Sequence, residues 1–412
     1  MTLLLTGLVT GCSASAPSTA APATSEIDSL LARHGKAVLG HDRSTFLTDL
    51  DPDRRAAGFR SAQAASFDNL VTLPLTSWSW TLNSRVDAAD AQAAARKRYG
   101  PSAVIMQVTL AYALRAVDPV PTKHDVWWTF VRVGGHVRVA SDSDLADAGG
   151  VSWKGPWDFG DLVVQRGAHS LVLGHIDNAD VLAGVAALVD AAVPDVTAVW
   201  GPKWSQDVAV FVPASKAELR VALGATSAVS TDIAAVAEND GLDPVTGSVL
   251  GARLVVETAA LTRLSDVGRR IVVTHEVTHI ADGNATTDAT PRWIAEGFAD
   301  YVGNLHSGQP VTVAATELRA DVRRGRLPTA LPKDAAFDIP ATAAQSYEAS
   351  WLACRLIAAR AGAAGLVRFY RMVGASPEAP DGAVADALRA VLHVGVAAFV
   401  AQWRTYLRAQ LA

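Results

Sequence analysis

The stretch VVTHEVTHIADG, Val272–Gly283, decides how the rest of the chain is read. It belongs to a longer segment, DVGRRIVVTHEVTHIAD, which predicts one helix with Asp266 as its cap and Gly283-Asn284 as its stop. On a helix His275 and His279 are four residues apart, so both side chains leave the same face, one turn apart. Two imidazoles so placed can hold one tetrahedrally coordinated metal ion. Glu276 sits beside the first histidine, where its carboxylate reaches a water at the metal's open position rather than the metal. With ten histidines and nine glutamates in 412 residues, chance gives this five-residue pattern roughly once in two hundred such sequences. The reading therefore needs a third ligand.

Past the loop NATTDA, Thr290 is predicted to cap a second helix, PRWIAEGFADYVG, with Pro291 at its first position. Glu296 on that helix becomes the third ligand if the chain turns back and lays the second helix against the first. Asp300 is one turn further on the same face, placed to accept the free ring N–H of a ligand histidine and so fix its tautomer. Gly297 and Ala299 are small enough to let the two helices approach closely.

HEVTH followed by WIAEGFADY resembles the gluzincin metallopeptidases, the superfamily that contains thermolysin and the zinc aminopeptidases. The resemblance implies Zn2+ as cofactor, His275, His279 and Glu296 as its ligands, Glu276 as general base, and a peptide or protein as substrate. It implies Asp300 as the partner of a ligand histidine. The flanks carry it further: GARLVVETAALTRLSDVGRRIVVTHEVTH is similar to the edge strand and active-site helix of that fold, and SYEASWLACRLIAARAGAAGLVRFYR to the helix after the site. Some gluzincins use a tyrosine downstream of the glutamate ligand to donate a hydrogen bond to the oxyanion, which implies that role for Tyr347, while Tyr301 is expected to pack. The zinc aminopeptidases carry a glutamate that grips the substrate's free amine, on the strand before the active-site helix. That strand reads GARLVVE here, without a glutamate at the expected position, so the expectation is an endopeptidase.

The fold class expected is α+β in two units. Residues 26–148 read as helices (EIDSLLARHGKAVLGHD, DRRAAGFRSAQAASFDNL) followed by strands from Trp78, Ala103, Asp125 and His136, with a tight hairpin at Gly134-Gly135. This order resembles the cone-shaped fold of cystatins and nuclear-transport-factor-like domains. Trp78, Trp80, Trp127 and Trp128 would either line a ligand pocket in such a cone or form its core. Residues 149–160 are a linker and 161–412 the metallopeptidase domain, mostly helical in its C-terminal half.

Half the residues are hydrophobic, and a net charge of -5 with scattered arginines gives no electrostatic case for nucleic acid. RRGR, Arg323–Arg326, is expected to be a solvated turn, and no G-x-S-x-G, P-loop or dinucleotide fingerprint occurs. The other histidines, His34, His41, His124, His136, His169, His175, His306 and His393, lack ligand spacing and are expected in the core or at the surface. LLLTGLVTGC resembles a bacterial lipoprotein signal: residues 1–12 with Val9–Cys12 as lipobox, Cys12 carrying the lipid, and 13–25 a flexible tether. That implies an extracytoplasmic protein, lipid-anchored to the cell membrane. No Lys or Arg precedes the apolar run, so a start further upstream is expected to supply the positive region. Cys354, in an apolar helix, is expected to be buried and free. Two rivals stand beside the peptidase: a catalytically inactive cell-envelope binding module on the same scaffold, and an N-terminal domain that binds a ligand or covers the cleft.

Overall fold

The computed structural model describes residues 20–224 and 233–412; Cys12, the lipobox and most of the expected tether lie outside them. Among the described residues the fold is mixed α+β, 53% helical with two sheets. One compact unit comprises residues up to Val71, Trp78–Ala111 and Lys123–Trp153; the other comprises Thr72–Ser77, Tyr112–Thr122 and Lys154–Ala412.

The N-terminal elements are α1 (Thr24–Leu39), α2 (Arg43–Thr48), α3 (Ala57–Leu70), β1 (Leu75–Arg85), α4 (Ala89–Tyr99), β2 (Val104–Leu114), β3 (Thr122–Val133) and β4 (His136–Ser141). The strands form a meander in the order β1-β2-β3-β4, and the β3–β4 hairpin pairs Val133 with His136 around Gly134-Gly135. Thr24 and Ser25 are helical rather than tether, because Glu26 accepts the Ala23 N–H and pairs with Arg132 at 2.6 Å, tying the first turn to β3. α2 and α4 escape sequence reading; ADAQAAARKRY carries no apolar stripe, yet it buries Gln92, Ala95 and Tyr99. Trp78 and Trp128 are buried, and the Trp80 ring lies 4.3 Å from Trp128 and 5.9 Å from Trp78. Trp127 packs instead beside Ala95, Tyr99 and Ile105. Trp78 and Trp128 are thus core residues, while Trp80 and Trp127 are half-buried.

The second unit runs β5 (Leu162–Arg166), β6 (Ser170–His175), α5 (Ala179–Trp200), β7 (Val208–Phe211), α6 (Lys216–Ala222), β8 (Ala235–Glu238), β9 (Arg253–Val256), α7 (Thr258–Arg263), α8 (Asp266–Asp282) and α9 (Arg292–Asn304). It continues with α10 (Val311–Ala314), α11 (Thr316–Arg323), α12 (Ala343–Gly374), α13 (Pro380–Leu392) and α14 (Val396–Leu411). The sheet order is β5-β6-β7-β9-β8, with β6, β7 and β9 parallel and the two outer strands antiparallel to their neighbours.

Two sequence expectations need correction here. GARLVVETAALTRL is strand only over Arg253–Val256, because the Glu257 carboxylate accepts the N–H groups of Ala259 and Ala260 and starts α7. β9 is also an interior strand; the edge is β8, whose AVAE has little strand propensity and gives no sequence signal. Interior β9 carries Arg253, buried and paired to Asp118 through two 2.7 Å hydrogen bonds, the bidentate geometry that a buried guanidinium needs.

α8, α9 and α12 pack in sequence, and two glycines set their spacing. A Cβ on Gly303 would lie 2.9 Å from the Ile271 carbonyl oxygen of α8, and one on Gly297 would lie 2.5 Å from the Ser350 carbonyl oxygen of α12. Gly297 therefore serves the α9–α12 contact, not the α8–α9 contact expected from sequence. Gly297→Ala is expected to push α9 off α12 and to destabilise the fold by about 1–3 kcal/mol, read as a lowered Tm. An unchanged Tm would mean that the helices separate freely there.

Candidate active site

α8 buries Val273, Val277 and Ala281 together with Thr274 and Thr278, a stripe at helical spacing. The opposite side presents His275, Glu276 and His279, all partly buried. The cap is Ser265, not Asp266: the Ser265 Oγ accepts the Gly268 N–H at 3.1 Å, and Asp266 becomes the first helical residue, where its charge suits the helix dipole. The helix does not stop cleanly at Gly283-Asn284 but tightens into a 3₁₀ turn over Gly283–Ala285.

The turn to α9 is pinned to α12 by Thr286 Oγ1 with Tyr370 Oη at 2.7 Å, and by Thr287 Oγ1 donating to the Gly374 carbonyl at 2.8 Å. Pro291 then occupies the cap position, one residue earlier in role than expected, and Thr290 accepts the Thr287 N–H instead of capping. The Arg292 N–H is taken by Asp334 Oδ1 at 2.9 Å, a cap supplied from distant sequence. α9 buries Trp293, Ile294, Gly297 and Phe298, which leaves Arg292, Glu296 and Asp300 stacked one turn apart on the other face.

The structure brings the three candidate ligands together. His275 Nε2 and His279 Nε2 are 3.1 Å apart, and Glu296 Oε2 is 3.3 Å from the first and 3.5 Å from the second. Among the described residues, these three offer ligand atoms within 4.8 Å of one another. Two ligands each about 2.0–2.1 Å from a zinc ion at a tetrahedral angle are about 3.3 Å apart, so the triangle has the size of one face of a zinc tetrahedron.

The electrostatics agree. Burial works against charge on His275, but the Asp300 and Glu296 carboxylates outweigh it and hold the imidazole well above its ordinary value. His279 is raised in the same way by Glu296 against burial. Burial raises Glu296, yet the two histidines hold it well below the carboxylate range. The site thus stabilises added positive charge. Nitrogen, nitrogen and carboxylate oxygen are a donor set that zinc accepts.

Asp300 Oδ1 accepts from His275 Nδ1 at 2.9 Å, which leaves the Nε2 lone pair free for a metal. Asp300→Asn is expected to lower metal affinity about 10–100-fold, measured by competition with a chelator; unchanged affinity would remove Asp300 from this role.

A cavity of about 750 Å³ opens over the triangle, lined on one side by Ile233–Ala237 and on the other by Arg292, Ala295 and Tyr347. Glu276 Oε2 accepts the Ala237 N–H at 2.8 Å, so edge strand β8 orients the carboxylate. Tyr347 lies in the cavity wall and its hydroxyl accepts from Arg292 Nη2 at 3.3 Å; burial and the Glu296 charge raise its pKa. Glu238, at the end of β8, was missed by the sequence reading, which looked to β9; burial and the nearby Glu276 charge raise its pKa. The remaining histidines stay outside the cluster: His34 stacks on Phe46 at 4.1 Å, and His175 pairs with Glu218 at 2.7 Å, both buried. Cys354 is buried and free, and Tyr301 packs on the core.

No family model and no curated protein matches the sequence. Among solved structures, the chain is similar to a mutant two-domain M1 zinc metallopeptidase bound to L-arginine, at 13% identity over 68% of this chain and 58% of that one, TM-score 0.37. It is also similar to an M1 zinc metallopeptidase from Deinococcus radiodurans, at 18% identity over 61% of this chain and 51% of that one, TM-score 0.34. The chain spans little more than half the length of these neighbours.

Proposed function

We propose that this chain is a zinc-dependent peptide hydrolase with its centre at His275, His279 and Glu296. The observation that carries the reading is the 3.1–3.5 Å triangle of Nε2, Nε2 and Oε2 with Glu276 beside it. A zinc ion bound there would supply a Lewis acid that brings the pKa of a water to about 7 and polarises the scissile carbonyl. Glu276 uses Oε1, the oxygen that does not face Ala237, to take the proton of the attacking water and return it to the leaving nitrogen. Tyr347 donates a hydrogen bond to the carbonyl oxygen as charge develops there.

The expected endopeptidase rested on the lack of the amine-gripping glutamate in GARLVVE, whose Glu257 caps α7, but the strand whose Ala235–Ala237 line the cavity is β8, and its last residue is Glu238. We therefore favour a peptidase that grips a free N-terminal amine through Glu238. Peptides with free and acetylated N-termini, offered to the metal-loaded chain, test both levels. Cleavage of the free peptide alone supports the amine grip, equal cleavage returns the endopeptidase, and no cleavage of either set removes the peptidase.

The cone-like description of the N-terminal unit belongs to the same proposal, supported by three helices before a four-stranded sheet of order β1-β2-β3-β4, with α4 inserted between β1 and β2. So does lipid attachment at Cys12 with an extracytoplasmic, membrane-bound location, which the VTGC stretch supports. Fatty-acid label is expected on the exported chain and absent from Cys12→Ser; equal labelling of both would end that reading.

A further inference from the structure

We propose that Arg292 is a positioning residue with two tasks: it occupies Oε1 of Glu296, so that this ligand binds through Oε2 alone, and it aims the Tyr347 hydroxyl into the cavity. The inference rests on the zinc reading above.

Each nitrogen of the guanidinium lies beside a different oxygen, Nη1 and Nη2 as hydrogen-bond donors and Nε as an ion-pair contact. Nε faces Glu296 Oε1 at 3.5 Å, Nη2 donates to Tyr347 Oη at 3.3 Å, and Nη1 pairs with Asp338 Oδ1 at 2.7 Å. Glu296 is divided accordingly, with Oε2 toward both histidines and Oε1 toward Arg292. The plane of the fork is set from two sides. Arg292 lies 4.9 Å over the Phe337 ring, and that ring meets Tyr347 edge-on at 5.1 Å. Its own backbone is held by Asp334, so one short segment, 334–338, supplies the cap, the platform and the outer ion pair.

The physical need is clear. A carboxylate with both oxygens free can bind a metal through both, and that would fill the position that water or substrate must take. A cation on Oε1 makes the second oxygen unavailable at no loss of charge balance. Lysine cannot substitute, because a single ammonium cannot meet acceptors in three directions with the rigid geometry of a guanidinium.

The test is the visible absorption of the cobalt(II)-loaded protein, a readout of coordination that does not depend on turnover. Wild type is expected to give the strong bands of four-coordinate cobalt. Arg292→Ala is expected to give the weaker bands of five-coordinate cobalt, as Glu296 closes onto the ion through both oxygens. Arg292→Lys, which keeps the charge opposite Asp338 and is the safer variant to fold, is expected to shift in the same direction. Tyr347→Phe should leave the spectrum unchanged, and its loss of kcat should add little to that of Arg292→Ala in the double variant.

If Arg292 only ties the 334–338 segment to α9, its variants will lower Tm and keep the wild-type spectrum, which overturns the inference alone. Failure of the wild type to take up cobalt would overturn the zinc reading, and this inference with it.

Discussion

Glu276→Gln is expected to keep its metal and to lose about 10²–10⁴-fold in kcat, the range over which a positioned general base contributes. The geometry makes this substitution clean. Glutamine has the shape of glutamate and still offers an oxygen to the Ala237 N–H, which the native carboxylate accepts at 2.8 Å. None of the three candidate ligands changes, and their 3.1–3.5 Å triangle is built without Glu276. What disappears is the ability to take a proton from water and carry it to the leaving nitrogen. KM should therefore move little while kcat falls, the pattern of an interaction made in the transition state. A variant with full metal and normal turnover would end the assignment of Glu276.

His275→Ala carries the second large effect: loss of the metal itself. Wild type purified with metal present is expected to hold about one zinc per chain, and the variant little or none, measured by elemental analysis after dialysis. Two ligand atoms would remain, His279 Nε2 and Glu296 Oε2, 3.5 Å apart. Two protein ligands do not make a catalytic zinc site, which needs three and an open position. The variant also strips Asp300 of the ring N–H it accepts at 2.9 Å. Zinc in neither protein would favour the rival in which this scaffold binds a partner without catalysis. Zinc retained in the variant would point to a different ligand set.

How far the sequence could be read depended on the range of the interaction. His275, Glu276 and His279 were legible because their relation is a matter of helical period, as was the stacking of Glu296 and Asp300. The caps went wrong by one residue at both helices, since Ser265 and Asp266 are each competent caps and only the chain's path chooses between them. At α9 the donor is satisfied by Asp334, which local sequence cannot reveal. The edge strand was missed for a similar reason. AVAE is short and weakly patterned, whereas RLVV is strongly apolar because it is interior and covered on both sides. That error also removed Glu238 from view and with it the case for a free-amine grip.

By itself, then, the sequence determined the residue types of the candidate site, their helical register and the carboxylate next to them, because side-chain direction on a helix follows from backbone geometry alone. Only the tertiary structure decided which strand borders the cavity, that Gly303 and not Gly297 lets α9 meet α8, and that Arg292 meets the outer oxygen of Glu296, Tyr347 and Asp338 at once. Those relations join residues far apart in the chain. They exist only after packing has chosen which helices touch and which strands pair.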